Sequence, residues 1–205
     1  MNGGLSVEGI AVWVYNENKG RKEITMQETW KFSAKNGEEI MLRPAMPEDA
    51  ADIVHTVKSA SPERSYVLME QYGKDPVSEK EYISGLDRQK NLLLVALSGK
   101  TVVGSLEGLQ ADGGQRPQTA HILKIGLHLT EAYRGLGIGS EMLRYATEWS
   151  GERGFKKMEA SIFTTNKRSL HLFGRAGFDE ECKRRKQFRV GNEFIDEVCM
   201  GKLLD

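Results

Sequence analysis

The sequence predicts one α/β domain, with a mixed and mostly antiparallel sheet carrying helices on both faces. Three observations predict it. Short β-type runs alternate with amphipathic helical runs along most of the chain. One β-type run passes through a glycine-rich loop directly into a helical run. No internal repeat and no linker longer than a loop divides the 205 residues, a length that suits one sizeable core.

Residues 1–27 read as an N-terminal extension, an extra strand over 9–15 or a mobile arm, and 28–205 as the domain. Residues 29–33 and 39–44 flank Asn36-Gly37, a hairpin signal. Pro47, with Glu48 and Asp49 behind it, opens a helix. Ala50, Ile53, Val54 and Val57 then repeat at helical spacing up to Ser61-Pro62. Residues 67–72 and 78–86 are further candidate helices, the second punctuated by Pro76 and Ser78. A strand over 91–97 turns at Ser98-Gly99-Lys100 into a strand over 101–109. Asp112-Gly113-Gly114 begins a loop that ends near Pro117, and 119–129 is the next strand. Beyond the glycine loop come a helix over 141–153, a strand over 156–163, a short helix from Ser169 and a closing hairpin over 180–203.

Composition narrows the function classes. Lys+Arg and Asp+Glu balance at 29 each, so no global field draws the chain to nucleic acid or anionic lipid. The local cluster Lys183, Arg184, Arg185, Lys186 and Arg189 reads as the solvated face of a hairpin, or else as an anchor for an acidic group. Cys182 and Cys199 do not make a disulfide framework, and buried or half-exposed thiols are the default reading. The four histidines lack zinc-type spacing with them, so no metal is expected. No run of 18 apolar residues exists, and the start of the chain lacks a signal-peptide pattern. A cytoplasmic protein is the default expectation.

The glycine loop is Arg134-Gly135-Leu136-Gly137-Ile138-Gly139-Ser140. Backbone N–H groups at a helix N-terminus, with the helix dipole behind them, make a cradle for phosphate. Counted from Gly135, a dinucleotide fingerprint fails at Ser140, and a P-loop fails for want of a lysine. The pattern Arg-x-x-Gly-x-Gly resembles the coenzyme A pyrophosphate loop of the GNAT superfamily of N-acetyltransferases. Alone, the loop has a second reading, a glycine-rich turn that merely starts a helix. Further residues extend the resemblance. A strand over 156–163 is followed by Asn166 and by a short helix ending in Gly177-Phe178. The approach, from Leu129 to Gly135, is similar except for Glu131 where a proline is common. The tail over 188–200 resembles the closing hairpin of the branch of amino-acid and ribosomal-protein N-acetyltransferases.

The resemblance implies a splay between the two parallel strands that flank the loop helix, with acetyl-CoA as cosubstrate in it. It implies main-chain contacts from Leu127, His128 and Leu129 to the pantetheine arm. It implies a pyrophosphate cradle of N–H groups from Arg134, Gly135, Leu136, Gly137, Ile138, Gly139 and Ser140. Asn166 would bond the pantetheine, cap the following helix, or do both. A neutral amine would attack the thioester directly, and a main-chain N–H of 127–129 would stabilise the oxyanion.

The acid and the base depart from the family pattern. Phe173 stands where many relatives carry a tyrosine that protonates the leaving thiolate, and Tyr133 and Tyr145 are possible substitutes. A thiolate leaves tolerably unaided, thiol pKa values lying near ~8.5. Lys124 and Ser161 stand where relatives carry an acidic base. Glu107, Glu159, His121 and His128 remain as candidates. Glu107 leads, because a carboxylate is unexpected in its apolar strand. An α-amine with pKa near ~8 costs ~1.4 kcal/mol to deprotonate at pH 7, a lysine ε-amine about 4.6 kcal/mol. A site without a strong base suits the first: an amino acid, a small amine or a protein N-terminus. The alternative is a CoA-binding regulatory or interaction protein that has lost catalysis. A homodimer through the exposed edge of the final hairpin is a further expectation.

Overall fold

The computed structural model describes residues 29–60 and 74–205. The extension expected over 1–27 and the helix expected over 67–72 lie outside them. The strands are β1 (Trp30–Ser33), β2 (Glu39–Pro44), β3 (Leu92–Ser98), β4 (Thr101–Gln110), β5 (Ile122–Leu129), β6 (Lys157–Phe163), β7 (Asp179–Val190) and β8 (Glu193–Leu203). The helices are α1 (Ala50–Ala60), α2 (Pro76–Gly85), α3 (Ile138–Glu152) and α4 (Lys167–Arg175). Among the described residues, the strands form one sheet in the order β1-β2-β3-β4-β5-β6-β8-β7. β5 and β6 run parallel, and the other neighbours are antiparallel. The mixed, mostly antiparallel sheet is as the sequence implies.

β3 shows why helices cover both faces. Its Leu92, Leu94 and Ala96 join a core with Met142, Leu143 and Ala146 of α3 and Phe173 of α4. Its alternate residues Leu93, Val95 and Leu97 join Ile53 and Val57 of α1 and Ile83 of α2. An apolar run without polar alternation is what a strand buried on both faces requires. Each of the larger side chains among them, Leu, Val, Ile, Met or Phe, contributes about 1.5–3 kcal/mol on burial.

The element boundaries differ from the sequence reading for local reasons. A 3-10 turn over Pro47–Asp49 precedes α1, which starts at Ala50. The buried Asp49 carboxylate accepts from Arg43 Nη1 and Nη2 at 2.6 and 2.8 Å and from Met46 N at 2.7 Å. This clamp ties the end of β2 to the start of α1. α2 starts at Pro76 rather than 78, because Asp75 accepts Ser78 N at 2.8 Å and Pro76 takes the first turn. β5 starts at Ile122 rather than 119, since the chain still turns through Thr119 N to Arg116 O and Ile122 N to Thr119 O. α3 starts at Ile138, so the end of the expected glycine loop is already its first turn. Cys182 and Cys199, expected as thiols, are register partners on β7 and β8 and are joined as a disulfide, their Cα atoms 5.0 Å apart. No described helix is long and apolar enough to cross a membrane.

Candidate active site

The site begins where the sheet opens. β5 pairs with β6 only from Ile122↔Lys157 to Lys124↔Glu159. Beyond that point β5 keeps its pairing with β4 as far as Gly104↔Leu129, while β6 stays paired with β8. The two parallel strands therefore diverge over 125–129, leaving main-chain groups of β5 facing a gap rather than a neighbour strand. A cavity of about 470 Å³ passes through this gap. Gly126, Leu127 and His128 of β5 line it on one side, and Ala160, Ser161 and Ile162 of β6 on the other. Asn166, Ser169 and Phe173 line it from the α4 side.

The glycine loop lies just beyond the end of β5. Gly135 and Gly137 have φ of 77° and 93°, in the left-handed region that a Cβ disfavours. Gly137 is the N-cap of α3, and its carbonyl accepts Ser140 N at 3.0 Å and Glu141 N at 3.3 Å. The first N–H groups of a helix have no intrahelical acceptor, so this turn offers donors to an anion. Arg134 anchors the loop from within: its Nε donates to Leu129 O at 2.9 Å. A Cβ on Gly139 would lie 3.0 Å from Leu172 Cδ2, so a small residue lets α3 approach α4. Asn166 caps α4 by accepting Ser169 N at 3.0 Å while its residue also lines the cavity. The cap reading therefore holds, and the position suits the second role as well.

On the α1 and α2 side of the sheet, alternation collects polar residues. Ser105↔His128, Glu107↔Gly126 and Leu109↔Lys124 are register pairs across β4 and β5. Glu107 thus faces a glycine, and the missing side chain leaves its carboxylate open to the gap. It lines both the first cavity and a second one of about 710 Å³ over β6–β8. Tyr82 of α2 donates to Glu107 Oε1 at 2.7 Å. Burial first, then the bond and charge of Glu107, push the Tyr82 phenol well above its ordinary value. The phenol therefore stays protonated and remains a donor to the carboxylate. Lys74 sits over the Tyr82 ring at 3.4 Å and is 3.1 Å from the buried Glu79 carboxylate.

The other sequence candidates separate. His128 is buried, with Nε2 3.0 Å from Thr56 Oγ1 and Nδ1 3.4 Å from Ser105 Oγ. Desolvation, and then the charge of Arg134, push it down to about 4. It is a neutral imidazole that holds α1 against β4 and β5, poorly suited to accept a proton from an ammonium group. Tyr145 is buried 6.1 Å from the Trp30 ring, and Tyr133 donates to Glu38 at 3.2 Å. Neither lines the cavity in the gap. Glu159 is 2.9 Å from Lys157 Nζ, and His121 lies before β5 with its carbonyl accepting Lys156 N at 2.9 Å. Phe173 packs edge-on to Phe178, with centroids 5.0 Å apart. The basic cluster of β7 is largely cross-strand: Lys183 lies 3.3 Å from Asp196 and Arg184 3.0 Å from Glu197. That is the hairpin-face reading.

Sequence reasoning missed Tyr82 and Glu197. Tyr82 falls on a helix with little amphipathic signal, and its reach to Glu107 is tertiary. Glu197 offered one sign, a carboxylate among Ile195, Val198 and Met200, the same anomaly that singled out Glu107.

A family model described as the acetyltransferase (GNAT) family matches residues 57–178, from within α1 to the residue before β7. The chain belongs to that family. The match takes in the diverging strands, the glycine loop and Asn166. Among relatives, L-amino acid N-acetyltransferase AaaT of Escherichia coli (strain K12) is 25% identical over 118 residues, 57% of this chain and 71% of AaaT. YwnH of Bacillus subtilis (strain 168), whose name carries phosphinothricin acetyltransferase as a provisional assignment, is 37% identical over 65 residues. That shorter match spans 32% of this chain and 40% of YwnH. The fold is shared with yncA of Salmonella typhimurium, solved with its cofactor acetyl-CoA, at a TM-score of 0.74 and 17% identity over 81% of this chain and 94% of that one. This member of the GNAT family therefore carries the diverging strands and the glycine loop together, with the side chains of Tyr82, Glu107 and Ser161 around the gap.

Proposed function

We propose that this acetyltransferase moves the acetyl group of acetyl-CoA to the α-amine of an amino acid, a small amine or a protein N-terminus, by direct attack. The gap between β5 and β6, with a cavity running through it and the glycine loop at its end, carries this reading. The geometry suits the cosubstrate: main chain without a strand partner suits an extended pantetheine amide, and the loop donors suit a pyrophosphate. Leu127, His128 and Leu129 supply the first, and the loop from Arg134 to Ser140 the second, with the N–H groups between those two residues as donors because Arg134 N and Ser140 N already donate to Glu131 O and Gly137 O. Asn166 adds a side-chain contact beside its cap.

Glu107 takes the proton of the attacking amine. Tyr82 holds one carboxylate oxygen and leaves the other for the substrate. A main-chain N–H of 127–129 faces the developing oxyanion. Phe173 gives no proton to the sulfur, and the thiolate leaves on its own acidity. Lowering an ε-amine rather than an α-amine to its neutral form costs about 3 kcal/mol more, roughly two orders of magnitude in rate. A single carboxylate beside a neutral imidazole favours the easier acceptor.

The test is thiol release from acetyl-CoA with L-amino acids, an alanine-initiated peptide and Nα-acetyl-lysine. Turnover with α-amines is expected. Saturating activity on the lysine side chain with none on α-amines overturns the acceptor class. Tight CoA binding with no release for any amine overturns transfer itself. The exposed outer edge of β7 is proposed as a dimer contact, and a monomer by light scattering removes that part.

A further inference from the structure

Across the second cavity from Glu107 lies a second polar pair. Ser161 of β6 is exposed and lines both cavities, whereas Glu197 of β8 is only 3% exposed. The two are diagonal neighbours, since Ser161 is in register with Cys199 and Phe163 with Glu197. The Ser161 hydroxyl donates to Glu197 Oε1, and Arg184 Nη1 donates to Oε2 at 3.0 Å. The carboxylate is thus used on both oxygens and compensated by a guanidinium.

This arrangement decides which way Ser161 faces the cavity. A hydroxyl ordinarily offers one donor and two lone pairs. Here the donor is spent on Glu197, so only lone pairs point outward. Glu107 is likewise left with an acceptor oxygen once Tyr82 has bonded the other. Two acceptors from β4 and β6 therefore border the same space. We propose that Ser161, held in this polarity by Glu197, accepts a hydrogen bond from the acceptor's amino group and makes the site selective for a primary amine head group. Ser161 touches the substrate, and Glu197 is a positioning residue acting through it. The inference rests on the reading of the site as an N-acetyltransferase given above.

The test compares wild type, Ser161→Ala, Ser161→Thr and Glu197→Gln, with the best amine of the panel as probe. Ser161→Ala is expected to raise KM for the amine about tenfold to a hundredfold, with KM for acetyl-CoA unchanged. Ser161→Thr keeps a hydroxyl on a strand that tolerates β-branching, and restores the amine KM. Glu197→Gln keeps the volume and raises the amine KM in the same direction. An unchanged amine KM in Ser161→Ala overturns the proposal while leaving acetyl transfer standing. A parallel rise in both KM values, unrelieved by Thr, assigns Ser161 to structure and overturns it as well. Where no amine turns over, acetyl transfer fails instead, and calorimetry of n-butylamine against the CoA-loaded protein judges the proposal. Weaker binding by Ser161→Ala supports it, and equal or absent binding in both proteins overturns it.

Discussion

His128 links the sheet gap to α1, and its titration should be visible in stability. The side chain is buried and carries hydrogen bonds to Thr56 and Ser105. Burial lowers its pKa from 6.5 to about 4 in the folded protein. The sign follows from which state binds the proton first. As pH falls below 6.5 the unfolded chain protonates His128 while the native state does not, so unfolding is favoured. The loss grows until the folded pKa is reached and is complete below it. The full gap is worth about 3 kcal/mol, and about 2 kcal/mol of it is lost by pH 5. Above the unfolded pKa the loss vanishes.

The measurement is urea unfolding of wild type and His128→Gln between pH 4 and 7.5. Gln does not titrate, and the carboxylates shared by both proteins largely cancel in the difference. His128→Gln should cost stability at pH 7.5, by loss of fit and hydrogen bonds. That deficit should shrink as pH falls, by about 2 kcal/mol at pH 5. A difference between the two proteins that stays flat across the range would refute a buried, neutral His128.

Gly137→Ala forces a Cβ into a φ of 93° at the start of α3; about 1 kcal/mol of stability should be lost. Calorimetry should show acetyl-CoA affinity lowered at least ~10-fold as the loop donors move. Glu107→Gln removes the proposed base, and kcat/KM for the amine should fall about 10²-fold or more in the thiol-release assay while CoA affinity holds. Asp49→Ala leaves Arg43 half-buried without its bidentate partner. Denaturant unfolding should show a loss of about 3–5 kcal/mol, with m unchanged.

Periodicity and punctuation made most of the sheet legible. The strand read over 91–97 with its turn at Ser98-Gly99-Lys100 is β3 running into β4, and Asn36-Gly37 marks the turn between β1 and β2. The glycine loop was legible because glycines at 135 and 137 answer a backbone need that no other residue meets as well. Where the reading slipped, a side chain acted on the backbone. Asp75 moved the start of α2, and the cap alone decides that boundary. The Cys182–Cys199 pair was out of reach for a different reason: a bulge between Glu180 and Cys182 sets the register that brings them opposite each other.

The donor half of the site and the acceptor half differ in how the chain encodes them. The proposed donor half would use main chain, so a short contiguous pattern from 127 to 140 and one Asn can announce it. The proposed acceptor half would use side chains from α2, β4, β6 and β8, assembled by pleat and register. Glu107 comes from one strand, its hydrogen-bond donor Tyr82 from a helix 25 residues earlier in sequence. Ser161 and Glu197 are separated by 36 residues and meet only because β6 pairs with β8. Each looks ordinary alone. A surface serine and a strand carboxylate gain meaning when one is exposed to a cavity and the other is buried behind it. A scan for acids at inward strand positions would have found both Glu107 and Glu197, and the structure shows that they border one cavity from opposite sides. Acceptor choice in this enzyme is therefore expected to follow substitutions on that face of the sheet, independently of the loop proposed to hold the donor.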